Sequence, residues 1–286
     1  MSKRSPKSID VVNDWLRRGD GVGEGAEFRP FYRVRDVPSL GRSAIDTSIK
    51  TTLAQHLLSD IEYGYYLLGE FSRKVRYIRC QAALTPIEET IEIARSLDIP
   101  HPFYPGTRVP HVRTSDLVFD MLPPSQHVST VISCKPAADL DLSHPDVHRT
   151  LELLLIEKTY WQRRPVHWFI GTDKALPKNK VYNLDFFRST VKSRELDALD
   201  SRMTEFTERL LDAWRPTRTL NQLLWHLSRR LALRPIDVFT LLGRAIWFHR
   251  IYVDLNIRKF CHEEPLPVLR LATSGEAEEL TLVPGK

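Results

Sequence analysis

The first regular pattern along the chain falls at residues 51–72, where Leu53, Leu57, Leu58, Ile61, Tyr65 and Leu68 recur at three- and four-residue spacings. That spacing predicts a helix, and Glu62 borders its apolar stripe. Residues 75–82 alternate as a strand, and residues 86–97 return to helical spacing with Glu88, Glu89 and Glu92 on the polar side. Pro100, Pro102, Pro105 and Pro110 then mark a loop. Two short apolar runs follow, and each holds one polar residue with chemical use. Asp116 enters Leu117-Val118-Phe119, and Lys135 closes Val131-Ile132-Ser133-Cys134, with Pro123, Pro124 and Ser125 as the connection. From Pro136 to about residue 159 the chain reads as helix, with Glu152 and Glu157 among leucines, and residues 166–170 form a compact apolar strand. Helix, strands, helix and strand in this order predict an α/β core with both faces covered.

Both flanks of this core differ in character. Residues 1–27 form a flexible basic lead, with a short helix at 9–18 broken by the run Gly-Asp-Gly-Val-Gly-Glu-Gly. Residues 28–43 read as extended, with Arg29, Arg33, Arg35 and Arg42 set among Phe31, Tyr32, Val34 and Val37. Arginines interleaved with aromatics suit a phosphate backbone, with Lys50 extending the basic set; a solvated strand with a polar edge fits the same composition. Beyond residue 178, helical stretches at 203–213, 220–231 and 235–248 precede two strand-like segments at 251–253 and 268–271. Three helices and two short strands predict a mainly helical, winged-helix-like domain, a small helical interaction domain being the alternative. Arg229, Arg230, Arg244, Arg250, Arg258 and Lys259 are expected to form its basic surface. The resulting division is a lead at 1–27, a catalytic domain at 28–177, a winged-helix-like domain at 178–272 and a mobile tail at 273–286.

Composition narrows the chemistry. In 286 residues with 42% hydrophobic and 27% charged side chains, no window approaches the roughly 20 apolar residues of a membrane span. The basic N-terminus lacks the apolar core of a signal peptide. Cys80, Cys134 and Cys261 are far apart and never pair as CxxC, which excludes a zinc ribbon and a disulfide framework and points to a reducing compartment. A net charge of +5 fits a polyanionic partner. Walker-type phosphate loops, the Gly-x-Gly-x-x-Gly fingerprint and His-Glu-x-x-His are all missing, and His144, Asp146 and His148 read as a polar surface segment. What remains is a carboxylate from a helix, a carboxylate from a strand and a lysine from the next strand. Glu62, Asp116 and Lys135 suit metal-dependent phosphodiester cleavage, in which hard oxygen ligands hold Mg²⁺. For Asp116 and Lys135 alone, a cross-strand ion pair at a sheet edge is the competing account.

A set of ordered strings gives this arrangement a family. Val-Pro-Ser-Leu-Gly-Arg-Ser (37–43), His-Leu-Leu-Ser-Asp-Ile-Glu (56–62), Ile-Arg-Cys-Gln (78–81) and Ile-Pro-His-Pro (99–102) come first. Thr-Ser-Asp-Leu-Val (114–118), Cys-Lys-Pro-Ala-Ala-Asp-Leu (134–140), Arg-Thr-Leu-Glu (149–152), Ile-Glu-Lys-Thr-Tyr-Trp (156–161) and Trp-Phe-Ile-Gly-Thr-Asp-Lys (168–174) complete them. Over about residues 27–176 the chain resembles the TnsA family, endonuclease subunits of heteromeric cut-and-paste transposases with a restriction-endonuclease-like core, a mixed sheet flanked by helices. The resemblance implies that Glu62 and Asp116 bind the metal, that Lys135 is catalytic, that Gln81 contacts the site and that Glu157 is a secondary acid near it. It places Ser133 where the family has a glutamine metal ligand, and Cys80 where it has an acid. It further implies Mg²⁺ (with Mn²⁺ as a substitute), cleavage of the non-transferred strand at the 5′ transposon ends, a DDE-type recombinase partner, and an AAA+ ATPase regulator bound through the C-terminal domain. Arg33, Arg35, Arg42 and Lys50 would meet the DNA backbone, in a bacterial cytoplasmic setting without membrane. The alternative function is a DNA-binding adaptor of the same complex that no longer cuts.

Overall fold

In a computed structural model, residues 5–37, 42–192 and 194–271 are described, so the predicted tail and part of the 37–43 string lie outside the described residues. The chain divides into two compact units, one carrying the residues up to Leu176 and the other beginning at Pro177. No described helix is long and apolar enough to cross a membrane.

The first unit begins with α1 (Ile9–Arg17), then two single 3₁₀ turns, a hairpin of β1 (Ala44–Thr47) and β2 (Ala54–Leu57), and α2 (Asp60–Phe71). The remaining elements are β3 (Val75–Ala83), α3 (Ile87–Ser96), β4 (Thr114–Met121), β5 (Ser129–Lys135), α4 (Val147–Gln162) and β6 (Val166–Thr172). The main sheet runs β3-β4-β5-β6. Its first three strands are antiparallel, and β6 returns parallel to β5 after the α4 crossover, so the sheet is mixed as predicted. Side-chain alternation then assigns the two covers. Val118 and Val131 pack with Ile156, Tyr160 and Trp161 of α4. Phe119 and Ile78 meet Gly69 of α2, and Ile132 and Tyr65 meet Gly171 of β6. Glycine at 69 and 171 is what lets α2 lie this close to the strands, because a Cβ there would stand 2.6 Å from Phe119 and 2.5 Å from Tyr65.

Several local expectations change. The predicted helix at 51–72 is half its length: residues 54–57 pair with β1 instead, and α2 starts only after its N-cap Ser59. The apolar spacing is shared by both elements, and the serine, not the leucines, marks the boundary. The described residues of 28–43 form no strand; they contain the 3₁₀ turn Val34–Asp36 and an isolated parallel bridge from Arg29 to Asp20. The lead is not a loose appendage either. Val12 is fully buried with Phe31, Tyr104 and Val112, and the Gly21 carbonyl accepts from Ala83 N at the end of β3.

The second unit contains α5 (Lys178–Lys192), a 3₁₀ stretch, α6 (Met203–Ala213), α7 (Leu220–Leu231), α8 (Pro235–Trp247) and the short antiparallel pair β7 (Ile251–Val253) and β8 (Leu269–Leu271). Helix α5 has no counterpart in the sequence reading, because its one buried face mixes polar with apolar side chains (Lys180, Asn183, Leu184, Phe187, Arg188) and leaves no clean apolar stripe. Thr219 caps α7 in a capping box with Gln222, and Ala232 closes it in the left-handed region.

Gly171→Ala is expected to lower stability by about 1–3 kcal/mol through overpacking against Tyr65 and Ile132. A urea midpoint that stays at the wild-type value would show that the Tyr65 ring yields at no cost.

Candidate active site

Glu62 is placed by the start of its own helix. The Ser59 hydroxyl accepts from Glu62 N (3.1 Å) and donates to Glu62 Oε1 (3.0 Å), while Leu58 N donates to Glu62 Oε2 (3.0 Å). This is a capping box with the acid reaching one residue beyond the cap. The carboxylate therefore folds back over the N-terminus of α2, where the helix dipole favours negative charge.

Asp116 and Gln81 meet it through matched irregularities in adjacent strands. Gln81 takes a left-handed conformation (φ 55°) within β3. Its effect appears in the side chains on either side: Ile78 lies against α2, yet Ala82, four residues on, packs with Val118 and Trp161 on the α4 face. In a regular strand these two would share a face. The same reversal occurs in β4, where Phe119 faces α2 and Ser115 bonds Glu157 and Trp161 of α4. Register is kept across the interruption, since Cys80 pairs with Leu117 and Ala82 with Ser115. The residues at the reversal, Gln81 and Asp116, turn toward Glu62. Gln81 Nε2 donates to both Glu62 Oε2 (3.2 Å) and Asp116 Oδ1 (3.4 Å), and Thr114 Oγ1 donates to Gln81 Oε1 (3.2 Å). Asp116 Oδ2 accepts from Cys134 N (2.7 Å) and lies 3.6 Å from Lys135 Nζ. Lys135 also donates to the Cys134 carbonyl at 2.9 Å. Strand β5 thus presents its main-chain N–H and its terminal lysine to the same carboxylate.

Electrostatics follow from crowding in a dry place. Burial, then the neighbouring Asp116 charge, pushes the Glu62 carboxyl up to about 8. Asp116 holds the Lys135 ammonium above its ordinary range. The Cys80 and Cys134 thiols are pushed up by burial, which removes them as thiolate nucleophiles. Two carboxylates converging on one amide donor are a hard-oxygen site short of positive charge. Among the described residues no cluster of three His, Cys, Asp and Glu side chains forms a full metal cage. A carboxylate pair completed by water and substrate oxygens is the usual mode for Mg²⁺, so the residues present fit that ion.

The other predicted residues fall elsewhere. Ser133 does not stand with the carboxylate pair. Its hydroxyl donates to Glu157 (2.5 Å) and accepts from Trp168 Nε1 (3.2 Å), so the side chain expected to be a metal ligand is engaged with α4 and β6 instead. Glu157 is buried, is raised by that burial and by Asp116, and also accepts from Ser115 (2.6 Å). It ties together the segments next to Asp116 and Cys134, just past the last paired residues of β4 and β5, Leu117 and Ile132. Lys50 is engaged internally, donating to the Ser72 and Val75 carbonyls at 2.8 and 2.7 Å, and so does not face outward as a phosphate contact. Arg35 and Arg42 are exposed, Arg42 lying 3.8 Å from Asp60 in the first turn of α2. Arg33 flanks the same 3₁₀ turn as Arg35, beside His56. Sequence reasoning missed Arg113, whose Nε is buried without a hydrogen-bond partner and whose charge acts on Lys135 and Glu157. Its only sequence signal is its place three residues before Asp116.

Comparison with known proteins gives the geometry a setting. Residues 72–173 match the family described as TnsA-like endonuclease N terminal. The chain is also 37% identical over 183 residues to the Transposon Tn7 transposition protein TnsA of Escherichia coli, a match covering 64% of this chain and 63% of that protein. The matched stretch is thus under two thirds of the relative's length.

The Glu62 shift predicts a pH dependence of stability. A carboxyl held near 8 in the fold and near 4.5 when unfolded keeps an extra proton in the folded state between those values. Its contribution is full below about pH 4.5 and is lost as pH rises to about 8. Thermal melts in a chelator should decline across this window for wild type and flatten for Glu62→Gln; equal profiles would refute the assignment.

Proposed function

We propose that this chain, whose residues 72–173 match the TnsA-like endonuclease family, is the DNA-cutting subunit of a transposase. Its role is to cleave the non-transferred strand at the 5′ ends of a transposon. The observation that carries the reading is the convergence of Glu62, Asp116 and Lys135, from three separate elements, with Gln81 bridging the two acids.

A Mg²⁺ ion held by Glu62 and Asp116, with Mn²⁺ as a substitute, would lower the pKa of bound water and offset charge developing on the phosphate. The chain's own groups supply the rest. Lys135, held ammonium by Asp116, orients the attacking water and donates to the phosphoryl oxygen as negative charge builds. Cys134 N fixes the Asp116 carboxylate, and Gln81 keeps both acids in place until the substrate arrives. Water adds to phosphorus, the P–O3′ bond breaks, and a 3′ hydroxyl and a 5′ phosphate are left. The partners of this reading are transposon-end DNA, a DDE-type recombinase that cuts the other strand, and an AAA+ ATPase regulator that docks on the C-terminal unit, all in a bacterial cytoplasm. A non-cutting adaptor is the competing reading, motivated by Ser133 and Cys80 standing at positions where the family places a ligand and an acid.

With the partner recombinase, transposon-end DNA and Mg²⁺, wild type is expected to nick the 5′ ends and Asp116→Ala to leave them intact. Lys135→Ala should lose on the order of 10²–10³-fold in rate, the scale for removing one charge-stabilising donor. Absence of nicking in wild type and variant alike, with recombinase binding preserved, would favour the adaptor.

A further inference from the structure

A winged-helix reading gives DNA recognition to the third helix, here α8. Beyond its first turn, where Ile236 and Asp237 offer no cation, the structure leaves α8 no face for that task. Val238 and every residue from Thr240 to Trp247 are buried, including Arg244, which composition assigns to the basic surface. Arg244 is instead held by Asp200 through a bidentate pair at 2.7 and 2.5 Å. Helix α8 is the core of this unit.

Helix α7 offers what α8 withholds. Its inner face (Leu223, Leu224, Leu227, Leu231) is buried, and its outer face carries two parallel rows at four-residue spacing. One row is Asn221, Trp225 and Arg229; the other is Gln222, His226 and Arg230, and together they line a shallow depression of about 480 Å³. Trp225 is 53% exposed. The charges of Arg218, Arg229 and Arg230 all bear on His226 and, after its partial burial, hold it below its ordinary value. No acid lines the depression, and five of its six residues are polar or cationic. Tryptophan and arginine are common at protein hot spots as well, and it is the two adjacent guanidinium groups with no acid beside them that favour a polyanion. Guanidinium forks and amide donors flanking a flat aromatic are an inventory for phosphate and sugar. At about 1.5 Å per residue the rows run roughly 13 Å, about four nucleotide rises along one DNA strand.

We propose that the outer face of α7 is a docking surface for the backbone of duplex DNA, with Arg229 and Arg230 on phosphates and Trp225 against the sugar edge. This rests on the nuclease reading for its partner but not for its test. Binding is measured in chelator on the full chain carrying Asp116→Ala, so cutting plays no part, and nicking is scored separately. The probe is a 30-base-pair duplex at 50–300 mM salt, followed by fluorescence anisotropy. Arg229→Ala/Arg230→Ala should weaken binding at least tenfold at 100 mM salt. The same double variant should make the plot of log affinity against log salt shallower by about 2, near 0.9 for each phosphate left without its arginine. Trp225→Ala should weaken binding with the slope unchanged. Circular dichroism melts matching the parent show that these exposed replacements leave the fold intact. Four results overturn the proposal: no duplex binding by the parent at 50 mM salt, unchanged affinity in the double variant, tighter binding of the single strand, or loss of a protein partner of the transposition complex with DNA affinity retained.

Discussion

Two carboxylates that must be brought together out of water are the constraint on which the first unit depends. Left alone, Glu62 and Asp116 repel, and burial magnifies the repulsion because little solvent is present to screen it. The fold offsets this with several donors: Leu58 N and Ser59 Oγ on one acid, Cys134 N and Lys135 on the other, and Gln81 between them. The donors come from three places in the chain, so helix start, strand reversal and strand end must all be correct at once. The remaining strain appears as a proton that Glu62 retains near neutral pH. A divalent cation would supply the missing positive charge.

Much of this is legible in the chain, for reasons that can be traced. Strands β3, β4, β5 and β6 and helix α3 lie close to where alternation and helical spacing put them, because each is amphipathic or uniformly apolar over its length. Asp116 and Lys135 stand out as polar residues in apolar runs. The geometry of Glu62 is only half visible. Helical spacing places it on a helix, but the leucines of β2 continue the same spacing and mask the Ser59-Asp60-Ile61-Glu62 capping signal where the helix starts. Ser133 cannot be resolved from pattern. Strand alternation does not say that a buried glutamate on α4 will claim its hydroxyl, nor that the alternation is reset opposite, at Gln81 and Asp116.

The second unit shows how composition misleads when burial is not known. Arg244 counts toward a basic surface in sequence and is a buried anchor in space, tied to Asp200. Helix α8 has the position of a recognition helix but the uniform apolarity of a core helix, and it lies against α5, an element whose pattern gives no warning of it. Order of elements along a chain identifies an architecture; which helix remains wet is decided by what else packs there.

The double employment of Glu62 reaches further than chemistry. Because its carboxylate also closes the first turn of α2 on Leu58 and Ser59, it is part of the scaffold whether or not any bond is ever cut. A chain of this fold that never cut, and served in assembly alone, would still gain from keeping that glutamate. Lys135 has a smaller share in the scaffold: among the described residues its ammonium donates to the carbonyl beside it and offsets the Asp116 charge, and it closes no helix turn. In judging whether a relative cuts, an intact glutamate is therefore weak testimony, and the lysine is the residue whose replacement would speak first.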